Sequence, residues 1–143
     1  MSSTRNIYIA VIDDGESLCR SMSRLLRAAH FQPITYPSAE AFIADTKRPM
    51  FDCLVLDIQL KGMSGLDLSQ RLSAIKDATP VVFITAHDDP EVRAQAAASG
   101  CAGFFRKTDS GTDILAAIRR AISHEDSRSV RKDGKATDLE IAK

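Results

Sequence analysis

The sequence predicts an α/β protein, a doubly wound (βα)5 fold whose five-stranded parallel sheet carries helices on both faces. Five short apolar runs recur along the chain, and helical patterns separate them. The strand-like runs are almost continuously apolar, as in "CLVL", which is typical of strands buried on both faces. Strands that alternate with helices form right-handed crossovers, and this connection makes the strands parallel.

The predicted strands share a short length and a high content of β-branched, aliphatic or aromatic residues. They are Ile7–Ile12, Pro33–Tyr36, Cys53–Leu56, Val81–Ile84 and Gly103–Phe105.

The helices between these strands are predicted from apolar spacing and from start signals. Apolar positions mark one face of the first, third and fifth helices: Leu18, Met22, Leu25, Leu26 and Ala29; Leu68, Leu72 and Ile75; Ile114, Leu115, Ile118, Ala121 and Ile122. Ser64 and Ser110 stand at capping positions, and Asp89 precedes a first-turn proline. The second helix, near 38–45, and the fourth, near 89–99, have short or alanine-rich apolar faces.

Composition limits the classes of function. The 143 residues, 44% of them hydrophobic, fit one domain with a substantial core. The 19 basic residues balance the 19 acidic ones, so we expect no broad attraction to nucleic acid or to an anionic membrane. No apolar stretch is long enough to span a bilayer, and no signal peptide is recognisable, which predicts a cytoplasmic protein.

The polar composition of the last twenty or so residues predicts a domain over 1–123 and a solvated tail or truncated linker over 124–143. The tail has neither the length nor the pattern of a helix-turn-helix module, so direct contact with nucleic acid is not expected.

Chemically active residues stand at four strand ends. Asp13 and Asp14 end the first strand, Asp57 the third and Thr85 the fourth, and Lys107 follows the fifth. Sites in open parallel sheets form at the carboxyl ends of the strands, so these side chains converge if the strand order is 2-1-3-4-5. Three clustered carboxylates repel one another, and a hard cation such as Mg²⁺ would relieve the repulsion.

This set fits phosphoryl transfer, in which positioning and charge neutralisation dominate. Asp57 could act as the nucleophile and form an acyl phosphate, with Lys107 and Thr85 contacting phosphoryl oxygens. Each residue taken alone has a simpler reading. The acid pair could be a helix cap, Asp57 a turn residue, Thr85 a strand end and Lys107 a solvated lysine. Capping and turn preferences do not readily explain all of them together.

The sequence resembles the receiver domain of two-component response regulators over residues 5–123. The resemblance lies in "VIDDGESL", "DCLVLDIQLKGMSGLDL", "PVVFITAH" and "SGCAGFFRK". It implies a flavodoxin-like fold with Asp57 as phosphoacceptor from a histidine kinase or histidine phosphotransfer protein. It further implies that Asp13, Asp14, Asp57 and the Gln59 backbone carbonyl hold Mg²⁺, with Mn²⁺ as the alternative ion, and that Thr85 and Lys107 contact the phosphoryl group.

The resemblance also implies an output mechanism. Phe104 stands where receivers keep an aromatic switch residue, whose ring would fill the space that Thr85 leaves on phosphorylation. Its alternative reading is a core aromatic of the fifth strand. The changed surface would include the fourth helix, fifth strand and fifth helix. It would act on a protein partner, on the chain's own output domain or on a second copy in a homodimer.

Lys61 and Thr108 replace prolines that are usual in the family, and Gly15 stands where a polar residue is common. We expect the two loops without proline to be less constrained. Gln59 and His87 occupy variable positions, and we hypothesise that they set the lifetime of the phosphorylated state. His87 is alternatively an inert loop histidine.

The sequence leaves three other functions to consider. The chain could be a phosphate sink or a phosphate-independent scaffold, because intact site residues do not exclude either role. A phosphatase of the haloacid dehalogenase type also uses Mg²⁺ and an aspartyl phosphate, but it needs a second acid two residues after the nucleophile. Gln59 occupies that position, which argues against an enzyme with an external substrate. The kinase, the stimulus and the pathway are not readable from the sequence.

Overall fold

The computed structural model describes residues 5–123, which form five strands and five helices in alternation. The strands are β1 Tyr8–Ile12, β2 Gln32–Tyr36, β3 Cys53–Asp57, β4 Val81–Thr85 and β5 Gly103–Arg106. The helices are α1 Glu16–Ala28, α2 Ala39–Ala44, α3 Gly65–Ala74 and α4 Pro90–Ala98, followed by α5 over 111–123. Every predicted strand is confirmed, with bounds within one residue. The predicted tail, 124–143, lies outside the described residues.

The sheet has the predicted order, β2-β1-β3-β4-β5, and all four strand pairs are parallel. Backbone hydrogen bonds continue just past the strand ends, from Asp13 to Tyr36, from Ile58 to Ile84 and from Lys107 to Thr85. The residues that follow the strands are therefore held in register at one edge of the sheet. This edge is where the sequence places its reactive side chains.

The core occupies both faces of the sheet because successive residues of each strand point to opposite sides. In β1, Ile9 and Val11 face the layer of α1 and α5, while Ala10 and Ile12 face the layer of α2, α3 and α4. These four residues are fully buried, as is most of β3. Burying a valine or isoleucine side chain stabilises the fold by roughly 1.5 to 3 kcal/mol, so the central strands are firmly anchored.

Side-chain caps start three of the helices where the sequence predicts. Ser64 Oγ accepts a hydrogen bond from the backbone N–H of Asp67, and Asp89 Oδ1 accepts one from Glu91. Ser110 Oγ accepts one from Thr112 at the start of α5. Each cap satisfies an N–H group that has no partner inside the helix. None of the helices within residues 5–123 combines the length and apolar character needed to cross a membrane.

Candidate functional site

Three carboxylates from two neighbouring strands meet at the carboxyl edge of the sheet. Asp13 and Asp14 follow β1, Asp57 ends β3, and one carboxylate oxygen from each lies within 4.8 Å of the other two. Asp13 and Asp57 are each only 1% exposed, whereas Asp14 is exposed to solvent. The pairing of β1 with β3 brings these distant sequence positions together. The predicted convergence of the acids is confirmed.

Lys107 connects the two buried acids. Its Nζ lies 2.9 Å from Asp13 Oδ2 and 3.0 Å from Asp57 Oδ2, and it donates a hydrogen bond to the Asp57 oxygen. The lysine side chain comes from the residue after β5 and reaches across the end of β4, which lies between β3 and β5. One ammonium group thus partly offsets a cluster of three carboxylates.

Burial is the largest influence on the pKa of Asp57. It raises the pKa of Asp57 to about 6, and the negative charge of Asp13 acts in the same direction. The Lys107 hydrogen bond and the Gln59 backbone N–H lower that pKa without overcoming burial. Burial lowers the pKa of Lys107, but its contacts with Asp13 and Asp57 outweigh this effect and raise it above its ordinary value. The lysine therefore stays charged.

The acids form a donor set suited to a hard divalent cation. Asp13 Oδ2 is buried, and its contact with Lys107 is an ion pair whose geometry does not make a hydrogen bond, so this oxygen has no hydrogen-bond partner among the described residues. The Lys107 ammonium that contacts this oxygen also contacts Asp57, so one positive charge serves two buried carboxylates. Carboxylate oxygens are the ligands that Mg²⁺ and Mn²⁺ accept. The residues present therefore fit a bound cation.

The simpler readings of the acids hold only in part. Gly15, not an acid, occupies the N-cap position of α1, and no side chain caps that helix. The interpretation of the acid pair as a helix cap is therefore wrong, and Asp13 Oδ1 instead accepts a hydrogen bond from Gly15 N–H at 2.6 Å. Asp57 does open a turn, since its Oδ1 accepts from Gln59 N–H. Its second oxygen, which faces Lys107, has no part in that turn.

Thr85 is fully buried at the end of β4, and its hydroxyl contacts the following loop. It donates to the His87 carbonyl at 3.0 Å and accepts from the His87 N–H at 3.2 Å. The predicted contact between Thr85 and a phosphoryl group thus requires this hydroxyl to change partner. Gln59 and His87 are both exposed, and their effect on lifetime stays a prediction.

Phe104 lies on β5 in register with Phe83 of β4, and it is partly buried. It packs against the core layer of α2, α3 and α4, as its reading as a core aromatic requires. Its outer face contacts the guanidinium group of Arg93, a residue that the sequence reasoning missed.

Gly65, the first residue of α3, was also missed. A side chain there would place its Cβ 2.2 Å from the backbone oxygen of Asp57, so only glycine allows α3 to start this close to the acid. Glu40 of α2 supports the loop before α3 by accepting a hydrogen bond from Met63 N–H at 2.8 Å. The glycine directly after the capping Ser64 is the signal that could have indicated the close approach.

The family positions without proline are exposed. Lys61 and Thr108 both point to solvent, and the peptide bonds of residues 5–123 are all trans. Beside Lys61, Gly62 adopts a φ of 76°, a conformation that glycine adopts without strain. The expected looseness of these loops stays a prediction.

Comparison with known proteins gives the class to which this fold and site belong. The family model of the response regulator receiver domain matches residues 9–119. The chain belongs to this family, whose members act in two-component signalling.

Among curated relatives, the chain is 32% identical to the response regulator protein TodT of Pseudomonas putida over 120 residues, covering 84% of this chain and 53% of TodT. Among solved structures, the response regulator StyR is 32% identical with a TM-score of 0.82, covering 97% of this chain and 71% of StyR. The FixJ-N structure is 30% identical with a TM-score of 0.76, and the match covers 85% of this chain and 97% of FixJ-N. The chain spans about half the length of TodT.

Proposed function

We propose that this chain is a phosphorylation-controlled switch in which Asp57 accepts a phosphoryl group from a histidine kinase or a histidine phosphotransfer protein. The observation that carries the proposal is the position of Asp57, which is buried among two other acids with Lys107 Nζ 3.0 Å from one of its oxygens. A buried carboxylate already needs a counter-charge, and a phosphoryl group on it would bring about two negative charges. Lys107 and a cation held by the acids would supply positive charge for that group.

The chemistry follows from the chain's own groups. A carboxylate oxygen of Asp57 forms a bond to the donor's phosphorus while the phosphorus–nitrogen bond to the donor histidine breaks, and the electron pair of that bond stays on the imidazole nitrogen. Lys107 stabilises charge on the phosphoryl group, and Thr85 donates its hydroxyl to another oxygen. Mg²⁺ held by Asp13, Asp14, Asp57 and the Gln59 carbonyl would neutralise further charge, and Mn²⁺ could replace it.

Phosphorylation would then change the surface formed by α4, β5 and α5. When Thr85 turns toward the phosphoryl group it gives up its hydrogen bonds to His87, and the ring of Phe104 moves into the vacated space. The recipient of this change is a downstream protein, an output domain of the same polypeptide or a second copy of the chain. We further propose that 1–123 form the receiver domain, that 124–143 form a tail or linker, and that the protein acts in the cytoplasm.

The direct test is intact-protein mass spectrometry after incubation with acetyl phosphate and Mg²⁺. We expect one phosphoryl adduct on the parent chain and none on Asp57→Asn. Asp67→Asn is the matched control, because Asp67 is an exposed acid on α3 outside the cluster, and it should form the same adduct as the parent. An adduct that survives in Asp57→Asn, or its absence from the parent, would contradict the proposal.

The lifetime hypothesis has a separate test. We expect replacement of Gln59 and His87 together to change the rate at which the phosphorylated protein loses phosphate, because both are exposed and occupy positions that in this family influence how water reaches the acyl phosphate. Decay of the phosphorylated species in the absence of donor measures this rate. An unchanged rate in the double variant would end the hypothesis and leave the switch itself untouched.

A further inference from the structure

The exposed face of Phe104 is covered by an arginine from the neighbouring helix. The guanidinium carbon of Arg93, on α4, lies 4.5 Å from the centre of the Phe104 ring on β5. This distance is within the range at which an arginine is attracted to the negative face of an aromatic ring.

Arg93 is itself fixed in place by Asp88, in the loop between β4 and α4. Its Nε donates to Asp88 Oδ1 at 3.0 Å and its Nη2 donates to Asp88 Oδ2 at 2.9 Å. Two parallel hydrogen bonds of this kind fix the plane of the guanidinium group as well as its position. The hydrogen bond to Arg93 lowers the pKa of the Asp88 carboxyl, which agrees with a charged pair. The ring of Phe104 therefore faces an oriented guanidinium group and not a freely moving one.

The same loop also holds Thr85. Asp88 directly follows His87, and the backbone of His87 makes both hydrogen bonds of the Thr85 hydroxyl. A continuous series of contacts thus runs from Thr85 through the loop to Asp88 and Arg93 and ends at Phe104. Both ends of the series are the residues that the proposed function moves.

We propose that Arg93 is a positioning residue that holds Phe104 in its outer position and so favours the unphosphorylated state. This inference rests on the proposed function, because it assigns a direction to a movement that the function requires. To move inward, the ring must leave the guanidinium group. A contact present in only one of two states shifts the equilibrium toward that state.

The competing explanation is that Arg93 is an ordinary exposed arginine. Its side chain is 51% exposed, and a surface ion pair by itself contributes little. The stacking on Phe104 distinguishes the two explanations. If Arg93 acts through the ring, its loss should change the affinity of the Asp57 site for a phosphoryl mimic, and not only the stability of the protein.

The test measures the affinity for beryllofluoride, a phosphoryl mimic, in the presence of Mg²⁺, with bound and free forms quantified by fluorine NMR. We expect Arg93→Gln to bind the mimic about two- to five-fold more tightly than the parent, the factor that corresponds to an exposed cation–π contact. Asp88→Asn should shift the affinity in the same direction by less. Arg119→Gln, which removes an exposed arginine from α5, should match the parent.

A second comparison asks whether the effect passes through the ring. In a Phe104→Leu background, which keeps an apolar side chain without an aromatic face, Arg93→Gln should no longer change the affinity. Equal or weaker binding by Arg93→Gln, or a gain that persists with leucine at this position, would overturn the inference while the proposed function stands. If the parent binds no beryllofluoride, or if Asp57→Asn binds it equally well, the proposed function fails and the inference fails with it.

Discussion

Helices α1 and α4 both flank the sheet close to the acidic site, but they are anchored in different ways. Helix α1 buries Met22 and Leu26 in the core, whereas Ala96 is the one buried residue of α4. The loop before α1 carries the acids, and the Cys19 thiol donates a weak hydrogen bond to the Asp13 carbonyl at 3.3 Å. Helix α4 instead carries Arg93, the middle residue of the Asp88–Arg93–Phe104 series. The clustered acids therefore lie beside a well-anchored helix, and the proposed movement lies beside a weakly anchored one.

This difference has a physical reason. Large apolar side chains lose much free energy when they are exposed to water, so a helix that buries them resists local displacement. An alanine-rich helix buries little area and can shift at small cost. A site that must hold three carboxylates in place needs the first kind of support. A surface that must differ between two states needs the second.

The largest expected effect tests the anchoring of α1. Leu26 is fully buried, so Leu26→Ala should lower the free energy of unfolding by about 2 to 5 kcal/mol, through lost burial and the cavity left behind. Urea unfolding followed by circular dichroism measures this change.

The matched variant is Val92→Ala, because Val92 is the largest aliphatic residue of α4 and only partly buried. It should cost about 1 kcal/mol or less. If both variants lower the free energy of unfolding by the same amount, the two helices do not differ in anchoring.

A second test concerns the negative charge of Asp57, which belongs to the acid cluster beside α1. The folded-state pKa of Asp57, about 6, lies above its ordinary value of 3.8, so its contribution to stability is complete below about pH 4 and is lost as the pH rises through 6. Without divalent ions at pH 7, Asp57→Asn should therefore be more stable than the parent, by on the order of 1 to 3 kcal/mol.

The gain from Asp57→Asn should shrink as the pH falls from 7 toward 4, because the Asp57 carboxyl of the folded protein, whose pKa is about 6, becomes protonated over this range. Urea unfolding at several pH values checks this, with Asp67→Asn, which replaces an exposed acid outside the cluster, as the control. A gain that is constant with pH would mean that the ionised acid does not strain the fold.

The smallest effect concerns the start of α4. Asp89 Oδ1 caps the helix through Glu91 N–H, so Asp89→Ala should cost about 1 kcal/mol of stability. Because α4 is weakly anchored, we expect the loss to appear first as faster amide hydrogen exchange in α4, with the exchange of α1 unchanged. Exchange that rises equally in both helices would show that they open as one unit.

The sequence predicts much of this architecture. The apolar runs predicted all five strands, because residues buried on both faces leave a continuous apolar signal. Ser64 and Asp89 identified two helix starts, since capping needs a specific side chain at a specific position. The convergence of Asp13, Asp57 and Lys107 followed from the strand order and the rule that sites form at the carboxyl edge.

Other features were not readable. The contact between Arg93 and Phe104 joins a helix to a strand, and no local sequence pattern predicts it. The hydrogen bonds of Thr85 to His87 depend on the path of one loop. The interpretation of the acid pair as a helix cap was wrong because spacing alone could not show that Gly15 takes the N-cap position.

The sequence by itself determined the fold, the receiver family and the candidate site residues, because apolar periodicity, capping side chains and the types of residue at strand ends are all local properties. The tertiary structure decided which groups face one another. Distances between side chains that are far apart in the chain depend on packing, and packing set the 3.0 Å contact between Lys107 and Asp57 and the stacking of Arg93 on Phe104.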